Sequence, residues 1–242
     1  SRIAVLTGAG MSTDSGIPDF RGPDGIWTKN PEAEKASTLQ HFLSDPQVRR
    51  RSWQARLDNP LFRAQPNRAH HALVQLERRG QLLALVTQNV DGLHQAAGHD
   101  PAKVLEVHGT VHYTRCWQCN DRRPMADTLA RVRDGDDDPA CTMCGGILKS
   151  DAILFGQNLV SEVIDAAMRA AEQCDLLIAA GTSLSVFPVA NVVPTAKRHG
   201  ARVVIANGEP TAMDHHADAM LRGALGEVLP LLCGLDEGVS DG

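Results

Sequence analysis

Four short apolar runs recur along the chain: "IAVLT" (3–7), "LLALVT" (82–87), "DLLIAAGTS" (175–183) and "ARVVIAN" (201–207). Each is nearly continuous rather than alternating. That pattern predicts strands covered on both faces, as in parallel sheets. Between them the apolar positions take helical spacing. "RAHHALVQLERRG" predicts a helix with Asn67 as its cap and Gly80 as its stop, and "SEVIDAAMRAAEQC" (161–174) and "ALGEVLPLL" (224–232) also read as helices. Strands alternating with helices imply an α/β fold, a Rossmann-type doubly wound parallel sheet. Residues 112–150 interrupt the pattern and are expected to form a separate small module. Residues 24–66 carry several prolines and few strand signals, and are expected to be a helical or loop insertion over the sheet. The main domain would then comprise residues 1–111 and 151–235, followed by a disordered tail at 236–242.

Composition narrows the function classes. The chain has 242 residues, 43% of them hydrophobic, enough for one good core and a small second module. Its 24 basic and 29 acidic side chains give a net charge of −5, and the pI is about 6, so no electrostatic grip on nucleic acid is expected. No apolar run reaches the roughly 20 residues of a membrane span. No secretory signal opens the chain, a few residues are expected to precede its first strand, and a cytoplasmic location is expected.

The interrupting module holds four of the six cysteines. Cys116 and Cys119 lie in "RCWQCNDRRP", and Cys141 and Cys144 in "ACTMCGG". Two C-x₂-C pairs predict one zinc ion held by four thiolates. The alternative is two disulfides of a secreted protein, which nothing else in the chain supports. Four sulfur ligands close a tetrahedron, so this zinc would be structural, because a catalytic zinc keeps a position open for water. Between the pairs lies the acidic run "DGDDD". Cys174 and Cys233 sit in apolar helical patterns and read as core.

The chemistry must therefore lie elsewhere. Gly8 and Gly10 in "VLTGAGMSTDSG" follow the first strand and form a G-x-G turn, which lets a pyrophosphate approach backbone N–H groups at a helix N-terminus. The third fingerprint glycine is replaced by Thr13. A dehydrogenase would also need an acidic residue at the next strand end, about 20 residues on. That region is "PDGIWTKNPE", which is not strand-like, so hydride transfer is disfavoured. Gly181, Thr182 and Ser183 end one later strand, and Asn207 and Glu209 end another. Ligands of open α/β sheets bind beyond the carboxyl ends of strands, so these segments point to a nucleotide crevice. "VTQNVDGLH" and "EVHGTVH" add Gln88, Asn89, Asp91 and His108 as candidates for chemistry. His108 follows the strand-like "KVLEV" and could serve as a general base. The other histidines considered (His70, His71, His94, His99, His112, His199, His215 and His216) read as surface or satisfied core residues.

Together these segments resemble a known family. "GAGMSTDSGIPDFRGPDGIW", "TQNVDGLH", "HG", the two C-x₂-C pairs, "FGQ", "GTSL" and "NGEPT" occur in the order seen in sirtuins, here of the bacterial type, over about residues 3–232. The resemblance implies an NAD-dependent protein lysine deacylase, mainly a deacetylase, with a small zinc-ribbon domain. NAD and an acyl-lysine peptide would enter the cleft between the domains from opposite sides. NAD is implied as co-substrate, one structural zinc ion as cofactor, and acylated lysines of proteins as partners. Neither a nucleic acid nor a membrane is implied. Carried over, Gly8, Ala9, Gly10 and Ser12 would line the pyrophosphate and ribose. Ile17, Asp19, Phe20 and Arg21 would shape the nicotinamide pocket. Gln88, Asn89, Val90 and Asp91 would hold the nicotinamide and its ribose, with Asn89 and Asp91 assisting its departure. Gly181, Thr182, Ser183, Asn207 and Glu209 would hold the adenosine half, and His108 would be the base. The products would be nicotinamide, O-acyl-ADP-ribose and free lysine.

Two positions depart from the family pattern. Gln157 stands where a glutamate usually follows "FG", and Met11 where a smaller or branched apolar residue is usual. Sirtuins that remove succinyl or malonyl groups carry a Tyr-x-x-Arg pair in the region of "RRRSWQARLDNP", and here the spacing is kept as Trp53 and Arg56. This adds desuccinylation or demalonylation as a secondary expectation, against a plain reading of Arg56 as one more arginine on a solvated helix face. Two alternatives share the sequence: a mono-ADP-ribosyltransferase using the same NAD site, and a non-catalytic zinc-ribbon and nucleotide-binding module.

Overall fold

A computed structural model describes residues 1–19 and 37–234. In chain order the strands are β1 (Ile3–Thr7), β2 (Leu82–Thr87), β3 (Val104–Glu106), β4 (Tyr113–Cys116), β5 (Arg122–Pro124), β6 (Leu148–Ser150), β7 (Leu176–Ala180), β8 (Arg202–Ala206) and β9 (Ala219–Leu221). Six of them form one sheet in the order β3-β2-β1-β7-β8-β9, with every neighbouring pair parallel. The order runs one way from β1 to β3 and the other way from β7 to β9. The reversal lies between β1 and β7, and such a switch opens a crevice at the carboxyl ends of the strands.

Helices cover both faces of this sheet. The helices are α1 (Leu39–Ser44), α2 (Pro46–Leu57), α3 (Arg68–Arg78), α4 (Leu93–Ala97), α5 (Met125–Arg133), α6 (Ser161–Gln173), α7 (Val192–Arg198) and α8 (Leu225–Leu232). Alternate strand residues face opposite ways, as the pleat requires. Ala4 and Leu6 pack with Ala167 and Ala171 of α6 and Val193 and Ala196 of α7. Ile3 and Val5 pack with Ala72, Leu73 and Leu76 of α3 and Leu229 of α8. Burial on both sides is why the strands read as unbroken apolar runs. Helix α3 buries Ala69, Ala72, Leu73 and Leu76, one stripe at helical spacing. Its first turn is closed by a capping box: the Asn67 side chain accepts from the backbone N–H groups of Ala69 and His70, and His70 Nδ1 accepts from the Asn67 N–H.

The interrupting segment carries its own antiparallel sheet, β5-β4-β6, with α5 beside it. Helices α1 and α2 pack against this module. Phe42 and Trp53 share a cluster with Cys116, Met125, Leu129, Val132, Cys141 and Leu148. The acidic run of the module meets the arginines of α2. The Arg49 guanidinium donates to both carboxylate oxygens of Asp138 and to the carbonyls of Phe42 and Leu43, and Arg50 pairs with Asp137 at 3.2 Å. Asp136 pairs with Arg131 of α5 at 2.7 Å. Two charge runs that look like solvated faces in the sequence are therefore partners across a contact.

Candidate functional site

The first strand end and the β7 end fit together through glycines. A Cβ on Gly8 would lie 2.7 Å from Thr182 Cβ, and one on Gly10 would lie 2.9 Å from Gly181 Cα. Gly181 has φ +64°, and a Cβ there would meet the Met11 nitrogen at 2.5 Å. The immediate reason for these glycines is thus the close approach of two strand ends at the switch point. Among the described residues, no α-helix starts directly after the loop. Two 3₁₀ turns, Ala9–Met11 and Thr13–Ser15, follow instead.

The end of β2 brings the polar side chains over this loop. Asp91 is buried and accepts from the buried Ser12 hydroxyl at 2.7 Å, while its second oxygen caps the Leu93 N–H that starts α4. Asn89 Nδ2 donates to the Gly8 carbonyl at 3.0 Å and to Ser12 Oγ at 3.2 Å. Gln88 Nε2 donates to the hydroxyl of the buried Thr182 at 2.9 Å, which links the β2 and β7 ends. The Val90 carbonyl accepts from the Val111 N–H.

His108, just beyond β3, joins the same cluster. Its Nδ1 lies 3.1 Å from the Gln88 carbonyl. A carbonyl only accepts, so Nδ1 carries the proton and Nε2 keeps its lone pair. Burial lowers the pKa of the ring below its ordinary value, against an opposing pull from the Gln88 carbonyl. The imidazole is then neutral near pH 7, with Nε2 able to take a proton. Ser12, Gln88, Asn89, Asp91 and His108 are thus drawn together at three strand ends. On the other side of the switch, Ser183 is exposed and bonds to Ser185, while Asn207 Nδ2 donates to the Glu209 carbonyl. Among the described residues, Asn207 and Glu209 make no hydrogen bond to the His108 cluster; they lie at the adjoining β8 end. Ile17 and Asp19 are half-buried, and Phe20 and Arg21 lie outside the described residues, as does the expected tail.

Two histidines set aside as filler belong to this region. His112 Nε2 donates to the Asp91 carbonyl at 2.7 Å, and its ring occupies the space that a Cβ on Gly92 would need. His94 lies beneath the β1 and β2 ends. Sequence spacing carried no signal for either.

The four cysteine sulfurs lie within 4.8 Å of one another, with Cys116–Cys144 at 3.5 Å and Cys119–Cys141 at 3.7 Å. Zinc–sulfur bonds of about 2.3 Å set tetrahedral sulfurs about 3.8 Å apart, so the cluster fits one zinc ion. Cys174 and Cys233 are buried in the two faces of the main core.

Trp53 and Arg56 stay adjacent, with the Arg56 guanidinium over the Trp53 ring at 5.3 Å from its centroid, but their surroundings differ. Trp53 is 0% exposed inside the cluster that joins α2 to the zinc module, so it forms no wall of an open channel. Arg56 does not lie on a solvated face. It is half-buried, its Nη1 donates to the Ser52 carbonyl at 2.7 Å, and burial pushes its pKa down to about 10. It pairs with no carboxylate among the described residues. Lys149, itself buried, adds a second positive charge that Arg56 influences; among the described residues its ammonium bonds the Ser150 and Ala152 carbonyls.

The description "Sir2 family" belongs to the family model that matches residues 8–188. The chain belongs to the Sir2 family. "NAD-dependent protein deacetylase 2" of Streptomyces coelicolor is 50% identical over 230 residues, 95% of each chain. "NAD-dependent protein deacetylase 1" of Pyrobaculum aerophilum is 42% identical, over 94% of this chain and 87% of the relative. Among solved structures, a Sir2 variant with a deacetylated p53 peptide and 3′-O-acetyl-ADP-ribose matches with a TM-score of 0.88 and 33% identity, covering 99% of this chain and 94% of that one. A complex titled Sir2–p53 peptide–NAD+ matches with a TM-score of 0.85 and 33% identity, covering 96% and 92%. This Sir2 chain shares the fold of those structures. Among the described residues, no helix is long and apolar enough to cross a membrane.

Proposed function

We propose that this chain is an NAD-dependent protein lysine deacetylase that, with one molecule of water consumed, moves the acyl group of an acyl-lysine to ADP-ribose and releases nicotinamide and free lysine. The observation that carries this reading is the cluster of Ser12, Asn89, Asp91 and His108 at the carboxyl ends of β1, β2 and β3, beside the switch point. NAD supplies a nicotinamide–ribose bond that breaks toward an oxocarbenium-like centre, which the amide oxygen of the acyl-lysine can attack. The residues supply position and proton traffic. Asn89 and Asp91 orient the nicotinamide ribose, held in turn by Ser12 and the Gly8 carbonyl. His108 accepts a proton from a ribose hydroxyl at Nε2, while the Gln88 carbonyl fixes the ring. The glycine-closed strand ends hold the two reactants in one geometry. Zinc, held by four thiolates, takes no part in the chemistry. Gln157 Oε1 accepts from the Leu154 N–H and closes a local turn without the charge that a glutamate would bring.

NAD labelled in its adenylate half tests the reaction. With acetyl-lysine peptide, label is expected in a small ester. Label on protein instead would mean ADP-ribosyl transfer and overturn the reading.

Arg56 favours a second substrate. Its guanidinium is desolvated and pairs with no carboxylate among the described residues, and Lys149 adds to the local positive charge. An acyl group ending in a carboxylate could pair with it bidentately. Desuccinylation or demalonylation is therefore the secondary activity. Arg56→Met is expected to cut kcat/KM for a succinyl peptide by about 30-fold or more, the equivalent of roughly 2 kcal/mol, and to spare the acetyl peptide. Equal loss on both peptides would leave a deacetylase alone.

A further inference from the structure

Behind the carboxyl ends of β1 and β2, three histidines are buried together: His70 on α3, His94 on α4 and His99 after it. The ring centroids of His70 and His94 are 4.9 Å apart, and those of His94 and His99 are 5.8 Å apart. None of these rings is used in the reaction described above.

His94 nevertheless connects to it. Thr7 and Thr87 end neighbouring strands and are paired in register, so their side chains point the same way. Both are buried. The Thr7 hydroxyl donates to Thr87 Oγ1 at 2.9 Å, and His94 Nε2 lies 2.9 Å from Thr7 Oγ1. Because Thr7 spends its proton on Thr87, His94 must donate from Nε2. Thr87 Oγ1 also accepts the backbone N–H of Asn89 at 3.0 Å. That bond fixes the backbone two residues beyond the strand, where Asn89 turns to reach the Gly8 carbonyl and Ser12. A chain of three hydrogen bonds thus runs from a buried imidazole to the backbone of Asn89. A threonine hydroxyl can replace a backbone partner, and here, where the ladder has ended, Thr87 does so for the Asn89 N–H.

We propose that His94 is a positioning residue for Asn89, acting through Thr7 and Thr87 and touching no reactant. The proposal rests on the reading of Asn89 as a group that orients the nicotinamide ribose. The donor at Nε2 keeps the Thr7 hydroxyl aimed at Thr87, and Thr87 then keeps the Asn89 amide in one place. Without that donor Thr7 can turn away, and the Asn89 backbone loses its fixed anchor. The plain alternative is that His94 only fills the core.

Two pairs of variants separate these roles. His94→Leu removes the donor and keeps the volume, and His94→Gln keeps a donor near Nε2. Thr87→Val removes the acceptor for Asn89, and Thr87→Ser keeps it. One readout is amide exchange of Asn89 without substrates, and the other is the split between kcat and peptide KM. His94→Leu and Thr87→Val are expected to speed Asn89 exchange and to lower kcat by about ten- to a hundredfold, the scale of a small misplacement in an active site, with KM unchanged. Gln and Ser are expected to recover most of both. Unchanged exchange and kcat in His94→Leu and Thr87→Val would overturn the proposal, as would equal loss in His94→Leu and His94→Gln. If His94→Leu does not fold, the Thr87 pair decides. If the wild-type chain shows no deacetylation, the proposed function fails by itself, and Asn89 exchange alone judges the positioning role.

Discussion

At the residue scale, the outcome depends on which nitrogen of His108 holds the proton. The Gln88 carbonyl claims Nδ1–H, so Nε2 is the only basic atom. His108→Ala is expected to cut turnover by roughly 10²–10⁴-fold while zinc content and melting temperature hold, because a general base contributes about that much. Wild-type-like turnover would remove His108 from the mechanism. The direction of its pKa gives a second expectation. Burial lowers it below the usual 6.5. The base therefore stays unprotonated as pH falls past 6.5, and kcat/KM should decline only at lower pH. A pH profile with its acid limb above 6.5 would contradict this.

At the scale of elements, the legible parts were those whose surroundings repeat. The strands at 3–7, 82–87, 176–180 and 202–206 could be read because both faces are covered, and α3 because its stripe and cap follow one period. The zinc ligands could be read because four thiolates need only spacing. What failed to show was contact between distant segments. "RRRSWQAR" and "DGDDD" both look solvated, yet Arg49 grips Asp138, and Trp53 is core. The pairing of Thr7, Thr87 and His94 was hidden for the same reason, since a buried histidine and a surface one look alike in a helical pattern. Arg49→Met should lower stability by roughly 2 kcal/mol, less than a fully buried pair because both partners keep some solvent. Adding Asp138→Leu should restore part of it, since no carboxylate is then left alone. Urea unfolding of the single and double variants measures this, and equal stability of wild type and Arg49→Met would show that the pair contributes nothing.

At the scale of the whole molecule, metal and pH act on different bodies. Removing zinc should unfold the β4–β6 module first and inactivate the enzyme as a consequence, because zinc binding and local folding are coupled. A metal-free protein with full melting temperature and activity would show that the cluster is not a structural zinc site. Acid should act on the main domain. Burial lowers His70 to about 4, aided by His71 and His99, and pushes His94 well below its ordinary value. His99 is also lowered by burial, with Glu77 pulling it up and Lys103 pulling it down. The unfolded chain binds these protons first, so stability is full above about 6.5 and falls as pH drops toward 4. His70→Gln keeps a capping-box side chain and removes one of the three titrations. It should flatten the loss between pH 7 and pH 5 in thermal melts; an unchanged slope would clear His70 of the effect. The most direct test of the enzyme itself is a mass-spectrometric count of products from an acetyl-lysine peptide and NAD. Nicotinamide, free lysine and O-acetyl-ADP-ribose are expected in equal amounts, and all three should vanish together without NAD. Deacetylated peptide formed without nicotinamide, or nicotinamide released without O-acetyl-ADP-ribose, would contradict it.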